Sequence, residues 1–527
     1  MTPPNILLIL NDDMGYSDIG CYGGEVRTPQ LDALARGGLR FTQFYNTARC
    51  CPSRASLLTG LYPHQADIGD MTRDDGVDGY LGDLSSNAVT LAEALKGAGY
   101  ATAMSGKWHV TNDLKDSYNW PCQRGFDRYY GMLCGAGSFW DPCHMKRNNE
   151  AIRLEPGEYF TDTISDEAVA QIRDHHASSP EQPLFQYVAY TAPHWPLHAP
   201  EEDVASYKGS FAEGWDVLRE KRLARLKAEG ILEESWELSP RDQWSQDWNE
   251  AEHPDWEQRR MEVYAAQIDR MDQGIGRILD ALKECGRFEN TLVIFLADNG
   301  GCAEGVGTNG ERIYNPDRAS GHEYTRDGSK KVRYGNLPEI WPGPEDTYCS
   351  YGPAWANLSN TPFRKFKCWT HEGGISTPFV VHWPQGISAK NELRHTPAQL
   401  PDIMATLLDA AGASYPEEYN GNAIKPCEGH SMKPLFERDQ AFGREVLYWE
   451  HMGNAAVRSG GWKIVRDFSG GTDWELYNIE ADRSEVHDLA DQEPAKLEEL
   501  KALWQAWADR VGVRDYSWIR ERRKQNG

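Results

Sequence analysis

Short apolar runs, each closed by a polar turn, dominate the hydrophobic pattern: residues 5–10, 100–104, 183–190 and 291–296. Runs of this length are too short for helices and too apolar for a half-exposed sheet, so they predict central strands covered on both faces. Helical spacing of apolar positions lies between them. Residues 28–36 read as an amphipathic helix with Thr28 as N-cap and Pro29 in its first position. Residues 90–98, 161–176 and 400–412 follow the same spacing, and over 257–285 the stripe Ile268, Met271, Ile275, Ile278, Leu279 and Leu282 marks a long core helix. Two further strands are expected at 41–45 and 378–383. Strands alternating with helices in this way predict an α/β fold.

After about residue 435 the pattern changes. Short strand signals at 446–450, 455–458, 462–466 and 475–477 are separated by Gly and Asp turns. A closing helix over 493–511 follows, with Leu497, Leu500, Leu503, Trp504 and Trp507 on its apolar side. The expected division is therefore a large domain over 1–435 and a small one over 436–527, which suits a chain of 527 residues. Three stretches lack strong helix or strand signals. Residues 112–157 read as loops over one face, 199–255 as an insertion without strands, and 302–355 as an irregular, aromatic-rich pocket wall or lid. The basic tail at 520–525 reads as a solvated end.

A formal charge of −25 argues against nucleic acid or an acidic membrane as a partner, and no apolar run approaches a membrane span. An anionic substrate would have to be drawn in by local positive charge. The N-terminus enters a strand without a cleavable leader pattern. Eleven cysteines without a regular spacing suit a reducing compartment, and the cytoplasm is the expected location.

The candidate chemistry sits where the strands end. Asp12 and Asp13 follow the first run, placed for a metal if the strand lies in an open α/β sheet, although Asp-Asp often only turns the chain. Asp298-Asn299-Gly300 closes the 291–296 run, Lys107 and His109 follow the 100–104 run, and His194 follows the 183–190 run. Taken singly, each is as compatible with a turn, surface polarity or packing. Cys50 lies where the 41–45 strand hands over to a helix opened by Pro52, so free amides and the helix dipole favour an anion there. Arg54 is one turn further on.

Cys50-x-Pro52-x-Arg54 followed by Leu58-Thr59-Gly60 resembles the signature of type I sulfatases, in which the cysteine is oxidised to formylglycine. Only Cys50, not Cys51, has Pro at +2 and Arg at +4. The other blocks of that family recur in order, including the continuation through Gly15, Asp18, Gly20, Tyr22 and Gly23. The resemblance implies the alkaline phosphatase superfamily fold: a large mixed, mostly parallel sheet flanked by helices, with a small C-terminal four-stranded antiparallel sheet and helix. It implies Asp12, Asp13, Asp298 and Asn299 as ligands, with residue 50, of a hard cation, Ca2+ or Mg2+ and not Zn2+. It further implies that Arg54, Lys107 and Lys367 hold the sulfate, His109 faces the formylglycine and His194 faces the leaving group. Lys367 is chosen over Lys365 and Arg364 because it precedes Glu372-Gly373-Gly374 by five residues. The implied activity is hydrolysis of an aryl or sugar sulfate, after maturation by a formylglycine-generating or equivalent enzyme. The alternatives are a phosphonate monoester or phosphodiester hydrolase on the same site, a hydrolase using Cys50 as a thiolate, and a catalytically dead binding scaffold. A homo-oligomer is left open.

Overall fold

The computed structural model describes residues 2–306, 322–471 and 473–526. A ten-stranded sheet runs in the order Glu392–Arg394, Leu39–Phe41, Phe379–His382, Thr291–Ala297, Asn5–Asn11, Leu184–Ala189, Ala101–Gly106, Arg128–Met132, Met145–Arg147, Glu150–Ala151. The four strands Thr291–Ala297, Asn5–Asn11, Leu184–Ala189 and Ala101–Gly106 are neighbours and mutually parallel, in the register Ile6 with Phe185 and Leu292, and Ala103 with Gln186. Their carboxyl ends therefore open on one edge. That edge gathers residues 12–13, 107–109, 191–196 and 298–299.

Alternate side chains of the first strand enter two cores, as strand geometry requires. Leu7 and Ile9 pack with Ile164, Ile268 and Met271 from the helices Phe160–Ser178 and Pro254–Glu284. Ile6, Leu8 and Leu10 pack with Leu58, Leu91, Leu95 and Leu407, from the helices Cys50–Thr59, Leu91–Gly97 and Pro401–Ala411. Thr90 caps Leu91–Gly97 in a reciprocal box: its hydroxyl accepts from Glu93 N and the Glu93 carboxylate accepts from Thr90 N.

The small sheet is an antiparallel meander of Val446–His451, Asn454–Ser459, Trp462–Arg466 and Trp474–Asn478. One face, with Ala455, Val457, Ile464 and Leu476, packs on Leu500, Trp504 and Trp507 of the helix Pro494–Val511. The other face, with Leu447, Trp449, Ala456 and Val465, packs on Tyr45, Ala48 and Ile375 beside the turn that leads into Cys50. Buried Glu372 ties the small sheet to the turn before Cys50, accepting from Lys463 Nζ at 2.9 Å, Arg483 Nε at 2.9 Å and the Tyr45 hydroxyl at 2.9 Å.

Several expectations need correction. The strand expected at 41–45 is two: Leu39–Phe41 joins the main sheet, whereas Phe44–Tyr45 pairs with Ala398–Gln399 in a separate ribbon. The 112–157 stretch is not only loop. Its Tyr129, Tyr130 and Met132 lie on Arg128–Met132, which pairs parallel with Ala101–Gly106 and carries the sheet on to Met145–Arg147 and Glu150–Ala151. The 302–355 stretch pairs Arg333–Tyr334 with Thr347–Tyr348 and starts the helix Gly352–Ser359, while its residues 307–321 lie outside the described residues. The basic tail is helical and docked: Arg523 pairs with Asp70 and Asp75, and Ile519 is buried.

Candidate active site

Cys50 opens a helix whose ten residues, Cys50–Thr59, are all buried. The approach to it is fixed locally. Ala48 takes a left-handed φ of 67° and its amide donates to Asn46 Oδ1 at 3.1 Å, and Ser53 Oγ accepts from Thr47 N at 3.1 Å. Arg54, one turn in, directs its guanidinium to the neighbouring strand end, donating from Nε and Nη2 to Asp298 Oδ2 at 3.1 and 2.9 Å and from Nη1 to the Lys107 carbonyl at 3.0 Å.

Positively and negatively charged groups interlock around it. Lys107 Nζ donates to Asp12 Oδ2 at 2.6 Å. Lys367 Nζ donates to Asp13 Oδ2 at 2.8 Å and lies 3.3 Å from His194 Nε2. Asn299 Nδ2 donates to Asp13 Oδ1 at 2.7 Å, and Asp13 N donates to Asp298 Oδ1 at 3.2 Å. Asp13 and His109 sit at positive φ, 66° and 54°, so the chain turns as soon as each strand has ended. Such a conformation costs about 1 kcal/mol at a non-glycine residue and is tolerated where its surroundings hold it.

Electrostatics follows from this crowding. Burial would raise the Asp12 carboxyl, but Lys107, His194 and Arg54 outweigh it and hold it at about 2. Asp298 is pushed well above the usual carboxylate range by burial and by the charge of Asp12. The Cys50 thiol is held well below its ordinary range by a hydrogen bond from Cys51 and then by Lys107, His109 and Lys367 against burial. Burial lowers His109 to about 4 and also lowers His194. His194 Nδ1 donates to the Trp195 carbonyl at 2.6 Å, which leaves Nε2 facing Lys367 and Asp13.

The donor set suits a hard cation. Asp12 Oδ1 and Asn299 Oδ1 are buried without a hydrogen-bond partner, beside Asp13, both of whose oxygens lie 2.8 Å from Lys367 Nζ, and Asp298, which Arg54 contacts through Oδ2. Among the described residues, Asp12, Asp13 and His194 form one group with metal-ligand spacing, and Cys50, Cys51 and His109 form another. All ten residues singled out in the sequence are buried; hydrogen bonds and ion pairs join Asp12, Asp13, Arg54, Lys107, His194, Asp298, Asn299 and Lys367, while Cys50 and His109 stand with Cys51 in the second group. Lys365 and Arg364 are not among them. Lys365 turns to Asp242 and Asp467, and Arg364 to Glu475.

A family model described as Sulfatase matches residues 4–413, and one described as N-sulphoglucosamine sulphohydrolase, C-terminal, matches residues 363–508. The chain belongs to the sulfatase family. An arylsulfatase of Klebsiella aerogenes is 33% identical over 452 residues, covering 82% of this chain and 92% of its own. An uncharacterized sulfatase of Schizosaccharomyces pombe is 32% identical over 549 residues, covering 97% and 94%. Among solved structures, Ps i-CgsB in complex with k-i-k-neocarrahexaose superposes with a TM-score of 0.65 at 25% identity, over 96% of this chain and 93% of that one. This sulfatase is thus a type I member of the alkaline phosphatase superfamily and a sulfuric ester hydrolase.

Two residues at the mouth of the sulfatase site carried no signal in the sequence. Arg49 Nη1 donates to Glu304 Oε1 at 2.5 Å, and Glu304 Oε2 lies 3.9 Å from Lys367 Nζ. Glu304 follows Asp298-Asn299 through an irregular segment with no register to mark it, and Arg49 reads as an ordinary polar residue before a helix. Both line a cavity of about 550 Å³ that opens over Lys367. His198, by contrast, is a packing residue, its Nε2 donating to the Thr347 carbonyl at 2.6 Å.

Proposed function

We propose that this sulfatase cleaves its ester with Cys50 converted to formylglycine by a maturation enzyme, and with one divalent cation, Ca2+ in our reading, held by Asp12, Asp13, Asp298, Asn299 and residue 50. The observation that carries this is the convergence of Arg54, Lys107 and Lys367 with three carboxylates and two unpartnered amide or carboxylate oxygens beside residue 50. The formylglycine hydrate brings two hydroxyls on one carbon, one to attack sulfur and one to release it, and the cation brings positive charge for the oxygens.

The remaining work falls to the chain. Arg54, Lys107 and Lys367 stabilise charge on the non-bridging sulfuryl oxygens. Lys367 Nζ, 3.3 Å from His194 Nε2, supplies the proton that His194 passes to the departing alcohol or phenol. His109, uncharged at neutral pH because burial lowers it to about 4, is able to accept a proton beside residue 50. Asp298 is a candidate base for the attacking hydroxyl. Eleven free cysteines support a reducing, cytoplasmic setting.

The test combines the mass of the peptide containing residue 50 with rates on an aryl sulfate and an aryl phosphonate monoester. An aldehyde at residue 50 and a faster sulfate reaction are expected. An intact thiol in active protein, or a faster phosphonate reaction, would contradict the proposal. Treatment with a chelator should abolish sulfate turnover and Ca2+ should restore it; retained activity in metal-free protein would contradict the cation's role.

A further inference from the structure

The cavity over Lys367 speaks to the half of the ester that the sulfate-binding residues do not touch. Lys367, Arg49 and Glu304 are among its lining residues, so what fills it lies next to the group held beside residue 50. Its walls come from separate parts of the chain: Trp244 from the 199–255 insertion, Trp369 from the loop after Lys367, Met452 and Phe468 from the small sheet's turns, and Tyr516 from the last helix. These walls brace one another. Trp244 lies edge-on to Trp369 with centroids 5.3 Å apart and stacks on Phe366 at 6.3 Å, and Phe468 meets Tyr516 edge-on at 5.6 Å. Trp244 nonetheless keeps 49% of its surface exposed, so apolar area is available to a ligand.

The polar side chains of the wall are largely engaged elsewhere. Asn454 uses both ends of its amide, donating to the Cys368 carbonyl at 2.9 Å and accepting from Phe468 N at 2.9 Å. Ser469 Oγ donates to Asp467 at 2.7 Å, and Glu304 is held by Arg49. The indole N–H of Trp369 has no partner, and Arg520 stands exposed at the rim. A ring of sugar hydroxyls entering here would give up water for few replacements, which is costly, whereas an apolar ring system would not.

We propose that the alcohol or phenol of the natural ester is an apolar, multi-ring molecule and not a sugar, and that Trp244 and Phe468 select it. A cavity of about 550 Å³ is of the size that encloses a drug-sized ligand and is much larger than one phenyl ring needs. This rests on the sulfate ester hydrolysis established above and concerns only the leaving half.

The experiment measures kcat/KM of sulfatase with a known aldehyde content on three sulfate monoesters: a single-ring phenol, a fused multi-ring phenol and a monosaccharide. The multi-ring ester is expected to exceed the monosaccharide on the order of 100-fold. Trp244→Ala and Phe468→Ala should each lower the multi-ring value on the order of 10-fold, chiefly through KM, and leave the single-ring value within roughly 3-fold. A monosaccharide ester turned over equally well or better, or variants that depress all three esters alike, would overturn the proposal. Phe468 is packed, so Trp244→Ala, at a half-exposed position, carries the test if Phe468→Ala fails to fold. Fully converted protein that hydrolyses none of the three would instead overturn the hydrolase reading beneath it.

Discussion

Lys365 and Lys367 stand two positions apart in one loop and serve different ends. Lys367 reaches Asp13 and His194, while Lys365, at a left-handed φ of 65°, pairs with Asp467 and lies 5.4 Å over the Trp244 ring. Lys367→Ala should therefore lower kcat/KM on an aryl sulfate by roughly 100- to 1,000-fold, the scale of losing one preorganised charge contact, and Lys365→Ala by less than about 10-fold. Comparable losses in the two variants would contradict the assignment. A second residue-scale prediction concerns Gly135. A Cβ placed there would lie 2.3 Å from His109 Nε2, so only glycine lets that loop approach the imidazole. Gly135→Ala should cut turnover by about 10-fold or more while leaving the melting temperature nearly unchanged, as kinetics and a thermal melt on the same sample would reveal. Neither Gly135 nor the Arg49–Glu304 pair could be read from the chain, because each depends on segments far apart in sequence meeting at the mouth of the site.

At the scale of elements, legibility followed burial. The strands at 5–11, 184–189 and 291–297 are apolar on both faces, and their runs announced them with boundaries within a residue or two. Arg128–Met132 was missed because it is short and set among Gly, Pro and Cys, and its Tyr-Tyr pair was its one strand signal. The break between Leu39–Phe41 and Phe44–Tyr45 falls at Thr42-Gln43, and it is their pairing partners that distinguish the two halves. The tail deceived for a different reason. A cluster of basic residues reads as a solvated end until buried acids are found facing it, and Asp70 and Asp75 supply them. Arg523→Ala should cost about 2 kcal/mol of docking for the helix Tyr516–Asn526, because charged hydrogen bonds to nearly buried carboxylates are lost. Faster amide exchange confined to that helix would show it, and unchanged exchange would refute it.

For the whole molecule, the join between the small sheet and the rest of the chain is itself ionic. Burial would raise Glu372, but Lys463 and Arg483 outweigh it and lower it from 4.5 to about 2. A carboxylate whose folded value is depressed adds stability above its unfolded value, and that stability drains away as pH falls. Its contribution should be complete above about pH 4.5 and lost progressively towards pH 2. Glu372→Gln should lower stability at neutral pH by about 3 kcal/mol, since it leaves buried Arg483 without its carboxylate and Lys463 with Glu485 alone, and should flatten the wild-type decline in that acidic window. Denaturant midpoints across pH would decide it; an unchanged acid decline in the variant would assign the acid sensitivity elsewhere. The same scale explains how a chain of net charge −25 accommodates an anionic ester. Arg54, Lys107 and Lys367 offset the Asp12, Asp13 and Asp298 carboxylates at one sheet edge, so that edge is near charge balance while the excess of acid lies on the rest of the chain.

In the proposed reaction residue 50 is a modified nucleophile within that cluster. The most direct measurement plots aryl sulfate turnover against the fraction of chains that carry an aldehyde at position 50, in preparations matured to different extents. Turnover proportional to that fraction, with a line through the origin, is the predicted result. Full turnover by chains that retain the Cys50 thiol would contradict it.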